Sequence, residues 1–435
     1  MRELLLKVEK LVADWEKERD EKGARVGCAL FCVPLGEGGN IDGDKLFIPA
    51  SNNKLWTSAV ALDQLGSQYR WETQVHITPD QLMIQGGGDP GFCFEDAQKI
   101  AQRLRVRGVE RLPKKWWINN GWCDDHPWGA GWKWDHLASG YCPRIEGLIM
   151  EGNRIHFQAN PQTEIPQFCS HGFGKVRVSS HCTWTDGESE VVVQREDHTN
   201  DFYISGKLSR REPEVTGAVW SGPSYFVEGF RQACLREGIQ ISEKTQILYG
   251  DRLDEKGLRL IHYSNPLSQI VLQINRESNN LSAEILLRTL GKSSENFSEE
   301  KGIHRVLRVL HNWGLQGPTQ YVDGSGLSMD NLSSPNAIVE LLAYQLHSPM
   351  FPLFLNSLSR YGKVGTLADR KTSLPSNWDV AAKTGSLVNV RTLSGYFLQN
   401  QSPIMVFSLL INGLSEEANG EDLQDRFLHM LAGSM

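Results

Sequence analysis

Ser51 and Lys54 stand three residues apart in Pro49-Ala50-Ser51-Asn52-Asn53-Lys54-Leu55, and on a helix that spacing puts both side chains on one face. A serine hydroxyl is a poor nucleophile at neutral pH, and an amine within reach can accept its proton. The chemistry open to such a pair is acyl transfer. The flanking residues predict the helix: Pro49 stops what precedes, and Leu55, Trp56, Ala59, Val60, Leu62 and Leu65 recur at helical spacing until Gly66. Ser51 then sits at the positive end of the helix dipole, which favours a developing anion. Taken alone, the pattern also fits an ordinary N-cap serine, so its meaning depends on partners elsewhere.

Those partners are Ser278-Asn279-Asn280 and, further on, Lys383-Thr384-Gly385-Ser386. The ordered set S-x-x-K, S-x-N, K-T-G is the signature of penicillin-binding proteins and serine β-lactamases. The surrounding sequence narrows this. Pro266 to Val271 leading into Ser278 to Glu284, Gly86-Gly87-Gly88-Asp89-Pro90, Asp323-Gly324-Ser325-Gly326-Leu327-Ser328 with Asp330-Asn331-Leu332, and Gly365-Thr366-Leu367 resemble the class C, low-molecular-mass penicillin-binding proteins. These are the D-alanyl-D-alanine carboxypeptidase/endopeptidase family. The D-G-S-G-L-S box is the most diagnostic piece, because β-lactamases lack it. Two departures are small: Ser386 stands where threonine is usual, and Val364 where an acid is expected.

The resemblance implies a peptidoglycan stem peptide ending in, or cross-linked through, D-alanine as substrate, with β-lactams as inhibitors. It makes Ser51 the nucleophile, Lys54 its base, and Ser278 the proton carrier to the leaving nitrogen. Asn280 would hold both Lys54 and the substrate amide. Lys383, Thr384 and Ser386 would receive the substrate carboxylate, while Gly385, lacking Cβ, would let the substrate lie against the strand. The backbone N–H groups of Ser51 and Ser386 would form the oxyanion hole. No metal or cofactor is required. The glycines and aspartate of Asp323 to Gly326 read as a tight turn near the site, outside the catalytic set.

At 435 residues the chain is long for one core. Strands are expected at Arg25–Val33, then, after a Gly-rich turn, at residues 45–48 as a hairpin feeding the Ser51 helix. Three more are expected near 380–383, 392–397 and 404–411, before a final helix at about 421–431. This predicts an α/β (α+β) fold: an antiparallel sheet flanked by helices on both sides, its edge formed by the Lys383 strand. Residues 1–72 and 217–435 are expected to form the catalytic domain, which resumes at Tyr225 to Gly238. Residues 73–216, with short alternating runs such as Val191–Val193, form a β-rich insertion.

The formal net charge of −7, with acids and bases interspersed, argues against nucleic acid, and no apolar run reaches membrane-spanning length. Residues 2–23 read as a charged amphipathic helix with Leu4, Leu5, Val8, Leu11, Val12 and Trp15 on one face, unlike an export leader. The resemblance nonetheless implies a periplasmic or otherwise extracytoplasmic location, so a removed leader or a misassigned start codon is expected. The eight cysteines read first as buried free thiols, Cys28 and Cys32 on one face of a strand; one or two disulfides in the middle region are the alternative. Trp116, Trp117, Trp122, Trp128, Trp132 and Trp134 are expected to pack in a core or between domains, against the option of stacking on sugars or peptides. Asp124-Asp125-His126 and Asp135-His136 lack metal-ligand spacing and read as surface loop.

Two other functions compete. A β-lactamase or esterase on the same scaffold would need an efficient deacylating base, which no motif identifies. A non-catalytic wall-binding protein would be expected to have lost one of the motif residues, and none is lost.

Overall fold

Long apolar runs near the C-terminus become three successive antiparallel strands in the computed structural model: Trp378–Leu387, Val390–Gln399 and Ser402–Asn412. The structure describes residues 1–19, 21, 23–121, 126–250, 257–292, 297–370, 374–415 and 419–434. Arg25–Cys32, from the other end of the chain, pairs with Ser402–Asn412 and closes the termini into one sheet. Its six strands run in the order Ser359–Arg360, Trp378–Leu387, Val390–Gln399, Ser402–Asn412, Arg25–Cys32, Glu37–Ile41. Both faces are covered, which explains why the strands read as near-continuous apolar runs. Met405, Phe407 and Leu409 meet Val8 and Trp15 of the helix Arg2–Arg19 and Phe427 of the helix Gly420–Ala432. Val406 and Leu410 face the opposite way, toward Trp56 of the helix Lys54–Leu65 and Leu342 of the helix Pro335–Gln345. The expected antiparallel sheet between helices is therefore the observed one.

Two details differ from expectation. The hairpin partner of Arg25–Cys32 is Glu37–Ile41, whereas residues 45–48 leave the sheet and Phe47 bridges to Ser333. The turn forms earlier, at Pro34 to Gly36, where Gly36 takes φ +66°. The Lys383 strand is also not the edge along its whole length. Ser359 and Arg360 pair with Ala382 and Ala381, and only from Lys383 onward does the outer edge lack a strand partner among the described residues.

Residues 72–263 build a second core. Its five-stranded sheet has the order Gln246–Tyr249, Lys115–Asn119, Gln81–Gln85, Glu72–Ile77, Leu258–Tyr263. Two three-stranded sheets accompany it, one of which pairs Glu190–Arg195 with Asp201–Ser209. The helix Gly222–Arg236, expected to resume the catalytic region, packs instead against the helix Phe94–Val106. Its Phe226 and Phe230 share one apolar cluster with Val75, Trp116 and Leu260. An amphipathic helix goes wherever its apolar face is buried, and periodicity alone does not say against which sheet.

The seven described cysteines, Cys28, Cys32, Cys93, Cys142, Cys169, Cys182 and Cys234, are free. Trp116 is fully buried and Trp134 is 84% exposed, so the tryptophans do not share one role. Trp122, Cys123, Asp124 and Asp125 lie outside the described residues, and no metal-holding group of three or more ligands occurs among the described ones. No described helix is long and apolar enough to cross a membrane.

Candidate active site

Ser51 lies in a 3-10 turn, Ala50–Asn53, that runs directly into the helix Lys54–Leu65. The two asparagines that follow it are fully buried anchors. Asn52 Nδ2 donates to Ser394 Oγ on the sheet at 2.8 Å, and Asn53 Nδ2 to the Asp323 carbonyl at 2.7 Å. Thr392 Oγ1 donates to the Pro49 carbonyl at 2.9 Å, tying the entry of the turn to the same sheet. The nucleophile candidate is thus clamped between strand and turn, with its own hydroxyl left to the site.

Lys54 is wholly buried. Its Nζ donates to Ser51 Oγ at 2.9 Å, to Asn280 Oδ1 at 2.7 Å and to the Ser325 carbonyl at 2.6 Å. Burial pulls its ammonium down from the usual lysine range to about 7, against the opposing pull of Asp323 and Glu284. A neutral amine is therefore accessible near neutral pH, beside the serine hydroxyl.

Ser278 and Asn280 occupy the start of the helix Asn280–Leu290, capped by Asn279 Oδ1, which accepts from Ser282 N–H at 3.0 Å. Ser278 has φ +57°, a conformation a serine adopts rarely, and it turns the hydroxyl toward the sheet. There Lys383 Nζ donates to Ser278 Oγ at 3.0 Å and to the Thr384 carbonyl at 2.8 Å. Lys383 is also fully buried, and desolvation, then the like charge of Lys54, hold its ammonium well below the usual range. Three segments more than a hundred residues apart in sequence so meet as two hydrogen-bonded sets, Ser51–Lys54–Asn280 and Ser278–Lys383, joined by the chain from Ser278 to Asn280.

Thr384 Oγ1 lies 2.6 Å from Thr366 Oγ1, which in turn meets Ser359 Oγ at 3.1 Å. Ser386 is exposed and lines the cleft with Ser51, Ser278 and Asn280. A Cβ at Gly385 would come within 2.1 Å of Thr392 Oγ1 and 2.9 Å of the Pro49 carbonyl, so its absence also lets the strand press on the nucleophile turn.

Sequence reasoning passed over several groups. The cleft, about 290 Å³, takes one wall from the insertion, including Lys133, His136 and Tyr141. The Tyr141 carbonyl accepts from Asn280 Nδ2 at 2.9 Å, which fixes the amide with its oxygen toward Lys54. Trp132 Nε1 donates to Asp323 Oδ2 at 3.0 Å and joins the insertion to the catalytic core. Glu284, quoted in a motif but given no role, is fully buried and accepts from Ser325 N–H at 2.8 Å and from Arg288 Nη1 at 3.2 Å. Burial, then the nearby Asp323, push its carboxyl up. The spacing Asn280 to Glu284, one helical turn, was the available signal.

Asp323 organises the turn beneath. Its carboxylate accepts from the backbone N–H of Gly326 at 2.6 Å and of Ser328 at 2.8 Å, and from Asn331 Nδ2 at 2.9 Å. Gly326 holds φ +79°, and a Cβ there would lie 1.9 Å from the Ala50 carbonyl. Gly326→Ala is expected to lower unfolding stability by about 1–3 kcal/mol and to displace Ser51. Urea denaturation together with acylation kinetics checks this; an unchanged midpoint and unchanged rate would refute it.

A sheet with helices on both faces, carrying a serine next to a buried lysine and a second serine next to another, defines the active-site-serine enzymes of the DD-peptidase and serine β-lactamase architecture. The chain belongs to the D-Ala-D-Ala carboxypeptidase 3 (S13) family, whose model matches residues 13–433. It is 26% identical over 407 residues to a D-alanyl-D-alanine carboxypeptidase of Actinomadura sp. (strain R39), covering 87% of this chain and 75% of that protein. To D-alanyl-D-alanine carboxypeptidase DacB of Haemophilus influenzae it is 25% identical over 399 residues, covering 86% and 82%. The crystal structure of penicillin-binding protein 4 (dacB) from H. influenzae superposes with TM-score 0.83 at 21% identity, covering 98% of each chain. A structure of that protein complexed with a β-lactam superposes with TM-score 0.75 at 20% identity, again covering 98% of each.

Proposed function

We propose that this chain cleaves the D-Ala-D-Ala bond of peptidoglycan stem peptides, as a carboxypeptidase on free ends and an endopeptidase on cross-links, through an acyl-enzyme on Ser51. The supporting observation is the contact between Ser51 Oγ and a Lys54 amine that burial brings to about 7. Neutral Lys54 takes the hydroxyl proton as Ser51 Oγ bonds to the scissile carbonyl carbon. The C–N bond then breaks as Ser278, held by Lys383, gives its hydroxyl proton to the leaving nitrogen, and the proton that Lys54 took replaces it, which returns Lys54 to the neutral amine. Water attacks the ester, releases the shortened peptide as its carboxylic acid and returns a proton to Ser51.

Lys383, buried with no carboxylate in contact among the described residues, gains its full charge when the substrate's terminal carboxylate arrives against Thr384 and Ser386. The backbone N–H groups of Ser51 and Ser386 hold the oxyanion. β-Lactams acylate the same serine. Two units carry these roles: a catalytic domain from the two ends of the chain, and an insertion whose core supports boundaries near residues 72 and 263. The work is done outside the cytoplasmic membrane, where the polymer lies.

The test is digestion. A pentapeptide ending in D-Ala-D-Ala is expected to lose one D-alanine, and cross-linked muropeptide dimers to yield monomers. No D-alanine release together with rapid penicillin turnover would replace this reading with the β-lactamase one.

A further inference from the structure

We propose that Thr366 is a positioning residue for the substrate's terminal carboxylate: its hydroxyl donates to Thr384 Oγ1 and so turns the Thr384 proton toward the carboxylate. The inference rests on the reading of Lys383, Thr384 and Ser386 as the carboxylate site. Gly365-Thr366-Leu367 forms a single 3-10 turn, and the mechanism leaves it without a part. The turn follows the short strand Ser359–Arg360, whose pairing stops at Ala382, just before the open edge that begins at Lys383. Gly365 takes φ +74°, and a Cβ there would lie 2.5 Å from Ser359 Oγ and 2.9 Å from the Arg276 carbonyl. Glycine therefore lets the turn close on Ser359. Thr366 N–H donates to Ser359 Oγ at 3.1 Å, and the Thr366 hydroxyl comes 2.6 Å from Thr384 Oγ1.

The hydroxyls of Ser359, Thr366 and Thr384 stand in line, Ser359 Oγ lying 3.1 Å from Thr366 Oγ1. Each hydroxyl carries one hydrogen, so the line can run in either direction. Run inward, Thr384 donates to Thr366, Thr366 to Ser359, and Ser359 to the Arg276 carbonyl at 3.4 Å, a long final bond. Run outward, Thr366 donates to Thr384, whose own hydrogen is then free for a ligand. Thr384 and Ser386 alternate along the strand Trp378–Leu387 and share one face, and Ser386 lines the cleft. A carboxylate accepts and cannot donate, so its arrival at Thr384 selects the outward direction. The 2.6 Å contact then takes its hydrogen from Thr366. A hydroxyl that accepts one hydrogen bond also donates the next more strongly, because chained bonds polarise one another. Ser359 is buried and holds the turn, whereas Thr366 is exposed, so its side chain can be exchanged without opening the core.

Steady-state kinetics on a matched pair of substrates read the effect: an N-acylated peptide ending in D-Ala-D-Ala, as the free acid and as its C-terminal amide, with the released residue quantified by mass spectrometry. Thr366→Val is expected to raise KM for the acid about three- to tenfold with kcat held, and to leave the amide within about twofold of wild type. Thr366→Ser, which keeps the hydroxyl, should restore the acid. In parallel, acylation by benzylpenicillin and by its methyl ester is followed by intact mass. Wild type is expected to favour the acid over the ester, and Thr366→Val to lose about three- to tenfold of that preference. A wild type that released nothing from either peptide would sink the peptidase reading, and the penicillin pair would then decide the role of Thr366 by itself. Equal losses on acid and amide, a fall in kcat with KM held, or an unchanged acid preference in a Thr366→Val protein whose thermal midpoint matches wild type would overturn the proposal.

Discussion

Ser51→Ala is expected to abolish covalent labelling by a fluorescent penicillin and to lower D-alanine release by about 10⁴- to 10⁶-fold. The loss is absolute for labelling because the acyl bond needs Oγ. The substitution is structurally mild. Among the described residues, the side chain that hydrogen-bonds Ser51 Oγ is Lys54, which keeps Asn280 Oδ1 and the Ser325 carbonyl. The turn stays anchored by Asn52, Asn53 and the Pro49 carbonyl. Its circular dichroism and thermal midpoint should therefore match wild type. Labelling that survives in Ser51→Ala would mean that another residue is the nucleophile, and the proposed mechanism would fall with it.

Lys54→Met should slow penicillin acylation by about 10²- to 10⁴-fold, the range lost with a general base, while Ser51 remains in place. In wild type the acylation rate should rise with pH through about 7, where Lys54 loses its proton. Stability carries the same signature. An unfolded lysine stays protonated up to about 10.5, so between about 7 and that value the unfolded chain binds more protons than the folded one. Stability therefore rises with pH across this window. Fully buried Lys383, also shifted down, adds to the slope. Removing Lys54 deletes its share and the repulsion it exerts on Lys383, so urea denaturation of Lys54→Met should give a flatter profile. The variant also strands the Asn280 Oδ1 and Ser325 carbonyl acceptors, at a cost of about 1–3 kcal/mol for each buried group. A flat wild-type acylation profile from pH 5 to 9, or a variant within tenfold of wild type, would exclude Lys54 as the base.

The residues legible in the sequence were those whose relation is local. Ser51 and Lys54 are one turn apart, so helical periodicity alone put them together. The C-terminal strand trio announced itself because both sheet faces are covered and each run is apolar throughout. Thr366, quoted only within a short box, became part of the site through a contact with Thr384 that no spacing could reveal. The helix Gly222–Arg236 shows the complementary failure: its amphipathic pattern was plain, but its partner is the helix Phe94–Val106, more than a hundred residues upstream. Gly385 taught the same lesson at one atom, since the neighbour that forbids its Cβ is Thr392 on the adjoining strand.

By itself, then, the amino-acid order determined which groups are present, the order of the three motifs and the periods that make helix and strand, because these depend on neighbours within a turn or two. Only the tertiary structure decided that Lys54 lies in the dry interior and sheds its proton near neutrality, and that Tyr141 and Trp132 of the insertion hold Asn280 and Asp323. Desolvation and electric field are set by whatever packs around a group, and most of what packs around these residues comes from distant parts of the chain.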